Sequence, residues 1–143
     1  ASPKMIREMI LPYHKRLIDH IKSKGNIKMT LHTCGSVSDA LPDIIEAGFD
    51  CLNPVQISAA KMSPDFLKKT YGKDITFWGG GINTQDTLPL GTPEQVRDET
   101  KRIIDIFAPG GGFVFSAVHN IQDDVPIENF IAMWETFQEN CKY

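Results

Sequence analysis

A fourfold alternation of short apolar segments with amphipathic ones most constrains the fold of this 143-residue chain. The apolar segments predict strands, and they cover residues 27–31, 49–52, 75–78 and 113–117. Apolar residues at steps of three and four predict a helix before the first strand and a helix after each strand. Since strands that alternate with helices pair in parallel through right-handed crossovers, the sequence predicts an α/β fold of parallel β/α units. Four such units make half of an eight-stranded barrel or a small open sheet.

Prolines and capping residues set the predicted helix boundaries. Pro12 is expected to kink or restart the first helix, because proline lacks an amide donor and clashes with the preceding turn. Thr92 and Gln95 have the spacing of a capping box, with Pro93 at the first helical position. The buried stripe predicted for that helix is Val96, Ile103, Ile104 and Phe107. A last amphipathic helix after Pro126 presents Ile127, Phe130, Ile131, Trp134 and Phe137.

The composition is that of one ordinary globular domain, and it excludes several classes of protein. Lys and Arg total 15 against 18 Asp and Glu, which gives a net charge of −3, and 41% of the residues are apolar. This balance argues against disorder, and no apolar run reaches the ~18 residues that span a membrane. Scattered basic residues give no electrostatic footprint for nucleic acid. We therefore expect one domain over residues 1–143, with neither a membrane nor a nucleic-acid partner.

The cysteines indicate a reducing compartment. Cys34, Cys51 and Cys141 are an odd number at wide spacings, which makes a poor disulfide framework. Such cysteines fit a reducing interior and thiol or metal chemistry better. The first residues also lack the pattern of a secretory signal. The sequence therefore predicts a cytoplasmic domain.

Polar and glycine residues follow each of the four predicted strands. Parallel α/β folds bind ligands beyond the carboxyl ends of their strands, so these residues are expected to share one rim. The substrate-binding candidates on this rim are Asn53, Gln56, Gly79, Gly80, Gly81, Asn83, Asn120 and Gln122. The three glycines have two interpretations, an anion-binding loop and a tight turn into which side chains do not fit, and the second is favoured.

A histidine and a cysteine at the first strand end suggest a metal site. His32 and Cys34 are two residues apart, so in an extended segment their side chains leave the same face. Imidazole and thiolate are normal zinc ligands, and three protein ligands leave the open position of a catalytic site. His119, after the last strand, is the best candidate for the third ligand. The alternative is that His32 and Cys34 are a buried polar pair that closes a loop.

Several runs of the sequence, taken in order, resemble the uroporphyrinogen decarboxylase superfamily. They are residues 31–35, 78–85, 90–96, 109–115, 118–122 and 125–126. The resemblance implies a TIM (β/α)8 barrel, of which this chain is the C-terminal half, with strands five to eight. A second half is then implied as a partner, either another copy of this chain, a separate N-terminal chain or the rest of a longer protein.

The superfamily contains two chemistries, and the resemblance implies residues for each. Corrinoid-dependent methyltransferases hold zinc with a His-x-Cys pair after the fifth strand and a cysteine after the eighth. His32 and Cys34 match the pair, whereas His119 stands in the place of the cysteine. Decarboxylases use no metal, and the feature of theirs that carries over is the histidine at His119.

The His-x-Cys pair favours the methyltransferase interpretation. It implies a zinc-dependent transfer of methyl from a methylated corrinoid, carried by a partner protein, to a thiol or similar acceptor. In that reaction His119 is both a catalytic residue and a metal ligand. Uroporphyrinogen decarboxylation is the alternative enzymatic function. A non-catalytic half-barrel that serves as an interaction subunit is the third hypothesis.

Overall fold

A computed structural model describes residues 2–141 and contains a parallel four-stranded sheet. The strands pair in chain order, and they are β1 Thr30–His32, β2 Cys51–Asn53, β3 Thr76–Trp78 and β4 Phe113–Val114. Each strand therefore lies beside its neighbour in sequence, as successive strands of a barrel do. The predicted α/β fold of parallel units is confirmed.

The strands are shorter than their apolar segments, and β1 begins later than predicted. The amide of Met29 donates to the Asp50 carboxylate at 2.8 Å instead of to a carbonyl of a neighbouring strand. The ladder consequently begins at Thr30 and includes His32, which was expected to follow the strand. Pairing of β4 stops at Val114, although Gly81 still donates its amide to the carbonyl of Ser116 at 2.8 Å.

Helices lie between the strands and at both ends of the sheet. They are α1 Pro3–Met5, α2 Leu11–Lys22, α3 Leu41–Glu46, α4 Pro64–Tyr71, α5 Thr87–Leu90, α6 Pro93–Phe107 and α7 Ile127–Asn140. A π-helical turn, Ile6–Ile10, joins α1 to α2 and ends two residues before Pro12, so this proline stands at the start of an α-helix as predicted. Within residues 2–141, none of the helices is long and apolar enough to cross a membrane.

The capping box of α6 is confirmed in full. The Thr92 hydroxyl accepts from the Gln95 amide at 3.3 Å, and the Gln95 side chain accepts from the Thr92 amide at 2.8 Å. These two bonds satisfy amides that a helix start otherwise leaves without a partner. The predicted stripe is buried along the whole helix: Val96, Ile103, Ile104 and Phe107.

Three phenylalanines anchor α6 to the sheet. The ring centroid of Phe107 lies 5.1 Å from that of Phe77 on β3 and 5.0 Å from that of Phe113 on β4. Phe77 and Phe107 are fully buried. The cluster joins the longest helix to the two strands that precede and follow it, so it fixes the sheet edge from which the segment after β4 departs.

The first and last helices expose much of their apolar surface. On α7 the residues predicted to form an apolar face are largely exposed, with Ile127 at 64% and Trp134 at 47%, while Asn129, Ala132, Met133 and Thr136 are buried. We call Ile127, Phe130, Ile131 and Trp134 the C-terminal apolar face. Met5, Met9, Tyr13 and Leu17 are also exposed, at steps of four, and form the N-terminal apolar face. No element within residues 2–141 covers these faces.

The phenylalanine cluster predicts a large stability loss on truncation. Phe107→Ala should lower the free energy of unfolding by about 3–5 kcal/mol, because it empties a fully buried site between two other rings. Phe66→Ala, at a position on α4 that is 42% exposed, is the matched control and should cost clearly less. Urea unfolding followed by circular dichroism measures both. Equal losses would contradict the role given to Phe107.

Candidate functional site

A cavity of about 670 Å³ lies at the carboxyl ends of the strands. We call it the strand-end cavity, and its lining residues are His32, Asn53, Pro54, Ser116, Ala117, Val118, His119, Asn120, Ile121 and Gln122. A volume of this order suits a small-molecule site. Five predicted site residues meet here: His32, Asn53, His119, Asn120 and Gln122. The other predicted site residues do not line this cavity.

His32 is held by its neighbour on β2. The two residues are Cα partners in the parallel register, and His32 Nδ1 lies 2.8 Å from Asn53 Oδ1. Asn53 in turn donates from Nδ2 to the carbonyl oxygen of Trp78 on β3, at 3.3 Å. Three adjacent strand ends are thereby joined through one amide side chain, and the His32 ring is fixed at the mouth of the cavity.

His119 reaches the same cavity from the far side of the sheet. It is half-buried and follows Val118, which is buried and donates its amide to the carbonyl of Ile82 at 3.3 Å. The carbonyl of Ser116 also accepts from Gly81. The loop after β3 therefore holds the segment that carries His119. One imidazole on β1 and one from the segment after β4 thus line the same cavity.

Cys34, the remaining predicted zinc ligand, lies on the loop after β1 and does not line this cavity. Its thiol is exposed. Within residues 2–141, no three side chains of His, Cys, Asp or Glu lie close enough together to hold a metal ion. The geometry therefore brings together two of the three predicted ligands. Cys51, by contrast, is buried, and burial raises the pKa of its thiol.

Gln56 and Asn83, both predicted to bind substrate, are engaged with other parts of the chain. Gln56 Oε1 accepts from the Gly35 amide at 2.7 Å, and Gln56 Nε2 lies 3.4 Å from Gln85 Oε1. Ser58 donates its hydroxyl to Gln85 Oε1 at 2.9 Å, and Asn83 Oδ1 accepts from the Gln85 amide at 2.9 Å. The strand-end loops are thus cross-linked, and Gln56 fixes the loop that carries Cys34.

Sequence reasoning missed Gln85 and Ser58 as members of this network. Gln85 ends one of the runs that carries the family resemblance, so its position was visible in the sequence. Its contacts were not, because they join loops that are 27 and 29 residues apart in the chain. Residue spacing reports local geometry only.

The three glycines form a tight turn, which is the favoured interpretation. Gly79 and Gly80 have φ values of +95° and +78°, where residues with a Cβ are strained. A Cβ at Gly80 would lie 2.8 Å from the carbonyl oxygen of Val55. Gly79 and Gly81 donate their amides to the carbonyls of Val114 and Ser116. These two amides are therefore used within the sheet, and an anion-binding role gains no support from them.

Comparison with known proteins decides the family. The profile of the family described as "Uroporphyrinogen decarboxylase (URO-D)" matches residues 1–140. This chain belongs to that family. A "Methylated-thiol--coenzyme M methyltransferase" of Methanosarcina mazei is 33% identical over 103 residues, which are 72% of this chain and 25% of the relative. A "Methylcobamide:CoM methyltransferase" of Methanosarcina acetivorans is 27% identical over 108 residues, 73% of this chain and 30% of the relative.

A decarboxylase and a solved structure also match the chain. The "Uroporphyrinogen decarboxylase" of Pseudoalteromonas translucida is 28% identical over 134 residues, 90% of this chain and 35% of the relative. A solved "methyltransferase from Methanosarcina mazei" superposes with a TM-score of 0.74 at 22% identity, over 99% of this chain and 39% of that one. With the family match, this likeness confirms that the chain has the fold of half a TIM barrel. The chain spans 25–35% of the length of the three sequence relatives.

The glycine turn yields a prediction with an internal control. Gly80 and Gly110 have nearly equal φ values, +78° and +77°, but a Cβ at Gly110 would meet no atom within 4 Å. Alanine at either position should cost about 1–2 kcal/mol for the left-handed backbone. Gly80→Ala should lose more stability than Gly110→Ala, because its Cβ also collides with Val55. Thermal unfolding compares the stability of the two variants. Equal losses would show that the turn accommodates the added Cβ at Gly80 without a further loss of stability.

Proposed function

We propose that this chain supplies half of a barrel that transfers a methyl group from a methylated corrinoid to a thiol, with zinc as cofactor. One observation carries the proposal: His32 and His119 line one cavity at the strand ends, and His32 is oriented through Nδ1 by a neighbouring side chain. Metal-bound histidines are typically oriented in this way through their second ring nitrogen. The names of two relatives support the reaction class.

The donors fit zinc in their chemical type. Two imidazoles and a thiolate make a three-ligand set that leaves one position open for a substrate. Because Cys34 stands outside the cavity in this structure, zinc binding requires its thiol to approach His32 and His119. The thiol is exposed, but Gln56 holds the adjacent Gly35 amide, so this movement requires the loop that carries Cys34 to rearrange. When bound, zinc would lower the pKa of a substrate thiol and so present a thiolate at neutral pH.

The chain's own part in the reaction is to position the acceptor. In the proposed reaction the acceptor thiolate would attack the methyl group, and the corrinoid of the partner protein would supply that methyl and act as the leaving group. Asn120 and Gln122 line the cavity beside His119 and are the side chains proposed to orient the acceptor. Histidine in the place of a cysteine makes the site more electrophilic, so the acceptor ionises more readily but is a weaker nucleophile.

Uroporphyrinogen decarboxylation is the second candidate function. It is favoured by the decarboxylase relative, which matches 90% of this chain, and by the position of His119 at the cavity. That reaction uses no metal, so zinc content separates the two candidates. Under the third hypothesis, a non-catalytic half-barrel that serves as an interaction subunit, we expect neither bound zinc nor turnover.

The partners follow from the same proposal. A corrinoid protein would present the methyl donor at the strand-end cavity. A second half-barrel, supplied by another copy of this chain or by further N-terminal sequence, would cover the two terminal apolar faces and the outer edges of β1 and β4. The three free cysteines are compatible with the cytoplasm, which is the proposed compartment.

Zinc content after loading and desalting tests the site. The chain should retain close to one zinc, and Cys34→Ala, His32→Ala and His119→Ala should each lose most of it. The bound amount should fall as the pH is lowered, because protons compete for the imidazoles and the thiolate. Elemental analysis provides the measurement.

The other two cysteines supply the controls for this experiment. Cys51→Ala and Cys141→Ala should leave zinc in place, since Cys51 is buried within β2 and Cys141 follows the last helix. A wild-type value near zero would refute the zinc proposal. Turnover of uroporphyrinogen by the same zinc-free chain, lost in His119→Ala, would favour the decarboxylase.

The exposed apolar faces predict self-association of the isolated chain. Burial of apolar surface contributes roughly 25 cal/mol per Å², so the terminal apolar faces should recruit each other. Sedimentation at micromolar concentration should give a mass above the 16.0 kDa of one chain. Ile131→Lys, in the C-terminal apolar face, should reduce that mass, whereas Leu90→Lys, exposed outside both faces, should not. A monomeric wild type would contradict this prediction.

A further inference from the structure

One amide side chain connects the His32 imidazole to a backbone carbonyl two strands away. Asn53 lies between them, with Nδ2 at 3.3 Å from the Trp78 carbonyl oxygen and Oδ1 at 2.8 Å from His32 Nδ1. His32 and Asn53 are direct partners in the parallel register of β1 and β2. The contact is therefore set by strand pairing and does not depend on a flexible loop.

The chemistry of the three groups allows one direction of hydrogen bonding. A carbonyl oxygen only accepts, so the end of the Asn53 amide that faces Trp78 must be the NH₂ group. The other end, which faces His32, is then the carbonyl oxygen and also accepts. His32 Nδ1 must consequently carry the proton. In the neutral ring, a proton on Nδ1 leaves the lone pair on Nε2.

We infer that Asn53 is a positioning residue that holds neutral His32 in its Nδ1–H tautomer, so that Nε2 is the nitrogen available to a ligand of the strand-end cavity. This positioning role is additional to the substrate-binding role that the sequence predicts for Asn53, which also lines the cavity. The identity of the ligand at Nε2, which is zinc, rests on the proposed function. The tautomer itself does not depend on that function.

Nitrogen NMR of the zinc-free chain tests the tautomer directly. Long-range ¹H–¹⁵N spectra of the chain with ¹⁵N-labelled histidine, at about pH 8.5 and thus well above the ordinary imidazole pKa of about 6.5, show which nitrogen is protonated. The His32 signals are those lost in His32→Gln. We expect Nδ1–H in the wild type and a shift toward Nε2–H, the form that free histidine favours in water, in Asn53→Leu. Wild-type His32 with its proton on Nε2 would overturn the inference.

Two further variants separate orientation from folding. Asn53→Asp keeps an oxygen that accepts from Nδ1–H and should retain the wild-type tautomer. Asn26→Leu, the same change in the exposed turn before β1, should leave the His32 signals unchanged. If Asn53→Leu alone loses its native circular dichroism, the wild type still tests the tautomer of His32. Asn53→Asp then tests whether an accepting oxygen at position 53 maintains that tautomer. An unchanged tautomer in a folded Asn53→Leu would refute the role of Asn53.

Zinc affinity measures the consequence for the proposed function. Loss of such an orienting partner typically weakens metal binding about 10–100-fold, so Asn53→Leu should raise the zinc dissociation constant by that factor and Asn53→Asp should not. A wild type that binds no zinc would refute the zinc proposal, while the NMR result would still decide the role of Asn53. Unchanged zinc affinity in a folded Asn53→Leu would refute the effect of Asn53 on zinc binding, whereas the NMR result decides its effect on the tautomer.

Discussion

Parallel pairing of four short strands is the constraint on which the site depends. It turns every carboxyl end to one rim, and its register places His32 directly beside Asn53. β1 and β4 are the outer strands, yet His32 on β1 and His119 after β4 line one cavity. Because His119 lies five residues beyond Val114, the segment after β4, which is bonded to the loop after β3, brings this imidazole to the cavity.

Much of this arrangement could be predicted from the sequence because it rests on local rules. Periodicity and capping residues predicted α6 and its buried stripe, and the alternation of elements predicted a common rim for His32 and His119. The position of Cys34 could not be predicted by the same means. Side chains alternate between the two faces of the sheet only within a strand, and β1 ends at His32. Gly35, with a φ of +84°, then turns the chain. A side chain beyond the last paired residue no longer follows the strand's faces.

Periodicity also identifies an apolar face without showing what covers it. The pattern on α7 correctly predicted a helix, but the side most apolar in sequence is largely exposed, and the buried side contains Asn129. That residue donates from Nδ2 to the carbonyls of Leu88 and Gly91, so a polar side chain stabilises the contact between α5 and α7. The exposed side agrees with a chain that spans only part of its relatives, since helices of a complete barrel have neighbours on both sides.

The polar residues of the rim divide into two groups by what they contact. Amides of Asn53, Gln56 and Asn83 are bonded to the chain itself, where they join strands and loops. A primary amide suits this work because it donates and accepts at once, so it can connect a carbonyl to an amide or to an imidazole. The imidazoles of His32 and His119 line the cavity, and His32 is held there through Nδ1 by Asn53. The residue types at the strand ends thus indicate that a functional site is near. Only the contacts show which side chains maintain the geometry of the site and which ones face a ligand in the cavity.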